Sequence, residues 1–357
     1  MADPHSTEEL PAPVPAEGVL LLHTRQGATR TALCQCLAHL SARWREVHED
    51  ILSVPVSGNR LHALCEAVVK SLSKAQLREV RYCLIGDAGC ASPAALMQTH
   101  SLTRLVAQVQ GTWLVDLLRG ERLRTFFQPI VYTGEPTQVF AYECLLRAFQ
   151  PDGGLVYPHQ VFEAARATDL LYYVDRMARL TAVKAASVLP CPVNVFINFN
   201  PASIEQPEES LKSTVAAVQS SGIPPERFVF EVVESEQARD RRLLLRIVDY
   251  FRSCGCRVAL DDLGAGYSSL NLLTEIRPDF VKLDIGLMRN VDCDLYKARV
   301  AGKLIELAKD LRAATVVEGL ETPGEWQWAL EHEADYAQGF LFAKPAEVPP
   351  QPEFCNA

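Results

Sequence analysis

Through the last two thirds of the chain, short apolar runs end one after another in a polar or charged side chain. VFAYECLLR reaches Glu143, VNVFINFN reaches Asn198 and RFVFEVVE reaches Glu231 and Glu234. CRVALDDLGAG reaches Asp261 and Asp262, DFVKLD reaches Lys282 and Asp284, ATVVEG reaches Glu318 and ADYAQGF reaches Gln338. Runs this short suit strands buried on both faces. Helical periodicity fills most of the intervals, at 175–188, 210–221, 241–254 and 296–311. Strand, polar end and helix in alternation predict a (β/α)8 barrel, whose chemistry gathers where the strands end.

The first third follows a different plan. Residues 18–98 read as a small α/β unit, with GVLLLHT, DILSVPV and RYCLIGD as strands and 31–45 and 60–80 as helices. A signal receiver would keep an acidic pair after its first strand, and HTRQG stands there instead; Asp87, after the third strand, reads as a turn residue before it reads as a phosphoacceptor. From 99 to 124, Leu102, Leu105, Val106, Val109, Trp113, Leu114, Leu117 and Leu118 fall mostly at three- and four-residue steps, which predicts one amphipathic connecting helix with Gly111 as its weak point. That stripe must be buried, either on its own domain or against a second copy of the chain, and the second option predicts a homodimer. The expected division is a flexible, proline-rich tail over 1–17, the α/β input domain over 18–98, the helix over 99–124, the barrel over 125–349 and a tail over 350–357.

Composition narrows the class without changing this plan. With 357 residues, 48% hydrophobic and 22% charged, the chain has the make-up of a globular protein with room for two domains. It opens without a basic start followed by an apolar core, and no run of 18 apolar residues occurs, so the expectation is a cytoplasmic protein with no membrane span. An odd count of 11 cysteines, mostly inside apolar patterns, does not describe a disulfide framework. The pairs Cys34/Cys36 and Cys254/Cys256 lack histidine partners at zinc-finger spacing. Residues 1–120 carry 11 basic and 11 acidic side chains; subtracting from totals of 35 and 44 leaves 24 and 33, so the net charge of −9 belongs to the rest. An acidic body of this kind does not hold a nucleic-acid duplex by counterion release. A small phosphorylated ligand stays open if bound cations set the local field.

Asp261 and Asp262 carry the first chemical signal. Two adjacent carboxylates at a strand end repel unless a cation neutralises them, which makes the pair a candidate bridge between two metals. Standing alone, such a pair would cap the turn at Gly264 and Gly266. It stands instead among six or seven other polar strand ends.

The motifs FFQPI (126–130), ECLLR (143–147), INFNP (197–201), FEVVE (230–234), DDLGAGYSSL (261–270), FVKLD (280–284), VVEGLE (316–321) and QGF (338–340), in this order, resemble an EAL-type cyclic-di-GMP phosphodiesterase domain. The resemblance covers Glu121 to about Pro349. It implies a modified TIM-like barrel with one strand running against the others, and hydrolysis of cyclic-di-GMP to linear pGpG. It further implies that Glu143, Asn198, Glu231 and Asp261 ligate one divalent cation and that Asp261 and Asp262 serve a second. By the same likeness, Glu318 and Gln338 hold metal-bound water or the metal, Lys282 orients the attacking water, Gln128 and Arg147 lie near the substrate, and Glu234 anchors the loop after Asp262. These are hard oxygen donors, and His159 and His332 are the only histidines after residue 121, so Mg2+ or Mn2+ is expected in preference to zinc. Four positions depart from the family pattern: Cys144 replaces the signature's alanine, Val233 a threonine, Leu263 a phenylalanine, and Ala265 sits where Thr and Ala alternate. None of them removes an expected ligand. A receptor that binds cyclic-di-GMP without cleaving it is the alternative, and it would more often have lost one of these acids.

Overall fold

The computed structural model describes residues 10, 17–25, 27–57, 59–86, 99–189, 192–233, 241–264 and 269–354. By contacts the chain forms two compact units, Met1–Glu121 with His159–Leu170, and Arg122–Pro158 with Leu171–Ala357.

The first unit is built on five strands, β1 (Gly18–His23), β2 (Arg45–His48), β3 (Ile51–Val56), β4 (Arg81–Ile85) and β5 (His100–Ser101), in the order β2-β3-β1-β4-β5. Every pairing is antiparallel. This is not the parallel doubly wound sheet of a receiver. Alternation turns Leu20 and Leu22 of β1 inward, where they meet Leu33 and Leu37 of the helix Ala28–His39 and Leu64 and Val68 of the helix Arg60–Ser71. The expected helix over 31–45 ends early, at His39, and its last residue, Arg45, begins β2. The expected helix over 60–80 divides at Ser73, whose hydroxyl caps the new helix Lys74–Glu79 in a capping box with Gln76. Asp87 lies outside the described residues.

The connecting helix also divides. Gly111 separates Leu102–Gln110 from Thr112–Arg119, and a Cβ at Gly111 would come within 2.4 Å of Thr168 Cγ2, so no larger residue fits the break. Leu102, Leu105, Val106 and Val109 complete the core of the first unit. The stripe is thus buried by its own chain and supplies no argument for a second copy.

The second unit is a barrel. Its strands are β6 (Leu123–Tyr132), β7 (Glu135–Phe149), the short spur β8 (Leu155–Val156), β9 (Asn194–Phe199), β10 (Phe228–Val233), β11 (Arg257–Leu263), β12 (Phe280–Leu283), β13 (Ala314–Val317) and β14 (Tyr336–Gln338). From β7 the ladder runs parallel through β9, β10, β11, β12 and β13 to β14. Closure comes through β6, which pairs antiparallel with both β14 and β7. A modified TIM-like barrel with one reversed strand is therefore the fold, as expected. Residues 350–354, expected as tail, return to the barrel: the Phe354 ring lies 4.6 Å from that of Trp326, and Tyr142 donates to the carbonyl of Pro350 at 3.1 Å.

The barrel's two surfaces follow the period of 2. Tyr142, Cys144, Ile197, Phe230, Val258, Leu260 and Val281 face outward into a core shared with the surrounding helices. Ile130, Ala141, Phe196, Val229, Ala259, Phe280 and Val316 face inward and fill the interior, with Tyr336 packed against them.

Candidate metal centre

That inner layer positions the site. Two residues beyond each of its members, on the same face, stands a polar side chain: Glu143 after Ala141, Asn198 after Phe196, Glu231 after Val229, Asp261 after Ala259, Lys282 after Phe280, Glu318 after Val316 and Gln338 after Tyr336. On the reversed β6 the step runs backward, from Ile130 to Gln128. The apolar layer is a floor, and the polar layer is the ring above it at the strand ends.

Lys282, 1% exposed, holds the middle of the ring. Its Nζ lies 2.7 Å from Glu231 Oε1, 2.6 Å from Glu318 Oε1, 3.3 Å from Asp261 Oδ1 and 3.6 Å from Glu143 Oε2. Gln338 Nε2 donates to Glu143 Oε2 at 2.7 Å and to Gln128 Oε1 at 3.2 Å, and Asn198 Nδ2 donates to Glu143 Oε1 at 2.9 Å. Glu143 is thereby the best-satisfied acid and Glu231 the worst. Glu231 is fully buried, and neither of its oxygens accepts a hydrogen bond of proper geometry, the Lys282 contact included. Gln338 Oε1 is likewise buried without a partner among the described residues.

Asp261 and Asp262 both reach the site because β11 is not regular there. On an even strand, neighbours face opposite sides. The β11–β12 register shifts between Leu260 and Leu263, and Asp262 takes φ 56°, a left-handed conformation that Asp tolerates better than most residues. The bulge brings carboxylate oxygens of Asp261, Asp262 and Glu318 within 4.8 Å of one another. Cys144, on a regular part of β7, points the other way into the outer core, as expected, and burial holds its thiol well above the usual range.

Charge is out of balance here. Burial pushes Glu231 well above the carboxylate range and raises Asp261; it lifts Glu318 to about 8 and, with the neighbouring Asp261, lifts Asp262 to about 6. Glu143 goes the other way, because the Lys282 ammonium and the Gln338 and Asn198 donors outweigh its burial. Burial alone would lower Lys282, but the carboxylates around it, Asp261 first, hold it well above the usual range. Five carboxylates against one ammonium leave four uncompensated negative charges if all ionise. Two divalent cations would cancel them, and the oxygens of Glu231, buried without a hydrogen-bond donor among the described residues, are suited to such an ion. The residues present therefore fit hard cations bound through oxygen.

Two expected ring neighbours stand apart or undescribed. Arg147, half-buried, is four residues beyond Glu143 on the same face of β7; Nη1 donates to the carbonyl of Leu146 at 2.8 Å and the guanidinium sits over the Phe126 ring, 5.5 Å from its centroid. It makes no ion pair among the described residues. Glu234 and 265–268, Ala265 included, lie outside the described residues, as does the side chain of Val233.

Sequence reasoning missed the supports. Gly339 is required by close approach, since a Cβ there would lie 2.0 Å from the Leu320 carbonyl oxygen, and Gly319 has φ +67° with Ile285 Cγ1 at 2.1 Å from any Cβ. Both glycines sit inside the quoted motifs, next to Gln338 and Glu318. Behind Asn198, Asp175 and Arg179 form a buried ion pair; Asp175 accepts from Asn200 N at 2.9 Å and Ser203 Oγ at 2.6 Å, and Arg179 donates to Thr214 Oγ1 at 3.1 Å. Their i, i+4 spacing was the only available signal, and it reads as a surface pair.

Fold and site together define a TIM-like barrel with a reversed strand and, at its strand ends, an acidic centre whose oxygen donors suit divalent cations. The family profile described as EAL domain matches residues 112–345. The chain belongs to the EAL domain family. It is 27% identical over 242 residues to "Probable cyclic di-GMP phosphodiesterase PdeN" of Escherichia coli (strain K12), covering 66% of this chain and 46% of that protein. It is also 27% identical over 264 residues to cyclic di-GMP phosphodiesterase RocR of Pseudomonas aeruginosa, covering 72% of this chain and 67% of that protein. Among solved structures, a standalone versatile EAL protein from Vibrio cholerae O395, in its c-di-GMP bound form, superposes with TM-score 0.58 at 32% identity over 65% of this chain and 95% of that one. The chain spans less than half the length of several of the curated relatives that it matches, the E. coli protein among them. No helix among the described residues is long and apolar enough to cross a membrane.

Proposed function

We propose that this chain hydrolyses cyclic-di-GMP to linear pGpG with two divalent cations, Mg2+ or Mn2+. The observation that carries the reading is the cluster of five carboxylates, four of them within 3.6 Å of one buried ammonium, which comprises the acids that the EAL resemblance assigns to the metals and the water. In this reading Glu143, Asn198, Glu231 and Asp261 hold one cation, and Asp261 and Asp262 hold the other. When bound, such ions supply a hydroxide at neutral pH and offset charge on an in-line phosphoryl centre. Lys282 and Glu318, 2.6 Å apart, position the attacking water, with Gln338 Oε1 as a further acceptor. Gln128 and Arg147 bind the dinucleotide, Arg147 through a guanidinium fork suited to phosphate oxygens. Glu234 steadies the loop after the bulge. The reading extends to a cytoplasmic protein whose first unit receives the input signal. Purified full chain incubated with cyclic-di-GMP and Mg2+ or Mn2+ is the test. Formation of pGpG that chelation stops supports the reading, and intact cyclic-di-GMP after incubation with either metal refutes it; binding without turnover would favour the receptor alternative.

A further inference from the structure

The helix Leu171–Ala186 turns Asp175, Arg179, Ala182, Val183 and Ala186 inward, at the three- and four-residue steps of a core stripe. Two consecutive places in that stripe are thus taken by an ion pair, 2% and 0% exposed. Stability does not account for it, because replacing such a pair by apolar side chains of similar volume is often neutral or stabilising. The cost is visible here: Arg179 Nη2 is buried without a partner among the described residues.

What the pair holds is the end of β9. Asp175 Oδ1 accepts from Asn200 N at 2.9 Å, and Oδ2 accepts from Ser203 Oγ at 2.6 Å. Asn200 in turn closes the short 3-10 turn Pro201–Ser203, its Oδ1 accepting from Ala202 N at 2.9 Å and its carbonyl from Ser203 N at 3.0 Å. Arg179 donates to the same carboxylate from its own helix and is itself fixed by Thr214 Oγ1 at 3.1 Å. Asn198 stands two residues before Asn200. It spends its amide N–H on Glu143 at 2.9 Å, so Oδ1 is the atom that it offers a cation. Among the described residues Asp175 makes no hydrogen bond to the acidic ring itself, and any effect it has there passes through the exit of β9.

We infer that Asp175, braced by Arg179, is a positioning residue for the cation assigned to Asn198: it fixes the backbone where β9 ends, so that the Asn198 carboxamide is in place before an ion arrives. The inference rests on the cation centre proposed above. A ligand held in advance gives up less conformational freedom when the ion binds. Removing such outer support costs about 10- to 100-fold in metal affinity.

Two double variants of equal charge separate positioning from packing. Asp175→Asn with Arg179→Met keeps an oxygen for Asn200 N and an amide for Ser203 Oγ, whereas Asp175→Leu with Arg179→Met fills the same space and keeps neither. The full chain is titrated with Mn2+ in the absence of cyclic-di-GMP, and the free ion is read by electron paramagnetic resonance. The variant with Asn should show about the wild-type Kd, and the variant with Leu should show one site weakened about tenfold or more. Melting in chelator is measured beside it, because a role in packing alone lowers Tm without moving the Kd of the folded chain. Ser203→Ala leaves the ion pair intact and should weaken the same site by a smaller factor; it decides if a double variant does not fold. Equal Mn2+ affinity in the two double variants, or wild-type affinity in Ser203→Ala where they do not fold, would overturn the positioning role and leave the proposed function standing. A wild-type chain that binds no Mn2+ overturns both. A wild-type chain that binds Mn2+ without forming pGpG overturns hydrolysis alone, and the titration still decides the role of Asp175.

Discussion

Replacing Lys282 with Met removes the one positive charge from the acidic ring while keeping most of its volume. The ammonium touches four carboxylates within 3.6 Å and is 1% exposed, so no water replaces it. Breaking a buried pair by deleting one partner costs about 3–5 kcal/mol, because the charge left behind is uncompensated. For a unit of the barrel's size, each kcal/mol shifts the melting temperature by about 2–4 °C, so a loss of roughly 6–20 °C is expected in chelator at about pH 8. The loss should shrink at acid pH. Asp262 and Glu318 have folded pKa values raised to about 6 and about 8, so the folded protein binds protons there that the unfolded chain does not. Their stabilising contribution is complete below the unfolded carboxylate range and is lost as pH rises through those values. Metal-free wild type should therefore melt lower at about pH 8.5 than at about pH 5.5, and Lys282→Met should widen the difference. Glu143, whose pKa is lowered, acts only below this window. Differential scanning calorimetry of both proteins at both pH values decides. Equal melting of variant and wild type at the higher pH would refute the charge argument, as would a metal-free wild type that gains stability with rising pH.

Asp261→Asn should abolish hydrolysis of cyclic-di-GMP, since that carboxylate is assigned to both cations; near-normal pGpG formation would sink the two-metal assignment. Glu318→Gln should depress kcat more than affinity, read from steady-state kinetics beside calorimetric binding, and a variant that mainly loses affinity would contradict its assignment to the water. Gly339→Ala should lower both the melting temperature and activity, because its Cβ meets the Leu320 backbone at 2.0 Å beside Gln338; full activity would mean that this approach is soft. A chain starting at Thr99 should self-associate in light scattering, having lost the strands and helices that cover Leu102, Leu105, Val106 and Val109, whereas one starting at Glu121 should not. Equal behaviour of the two would show that the stripe is covered elsewhere.

What the sequence determined by itself was the inner ladder. An apolar residue and, two positions on, a polar one recur on strand after strand, and Ala141/Glu143, Phe196/Asn198 and Val316/Glu318 can be read without coordinates because the side-chain period of a strand is 2. The EAL motifs added the reversed strand and the chemistry expected of each end in advance of the fold. Tertiary structure decided which of these ends share charge. Lys282 lies 139 positions from Glu143 in the sequence numbering, and only barrel closure brings its ammonium within 3.6 Å of that acid. The bulge that turns Asp262 to the side of Asp261 depends on the register between β11 and β12, which is a property of two strands and not of either. The sequence marks Gly111 as a weak point, but the burial of Leu102, Leu105, Val106 and Val109 follows from the antiparallel sheet and helices that cover them. Local pattern fixes which face a side chain takes; long-range pairing fixes what it meets there.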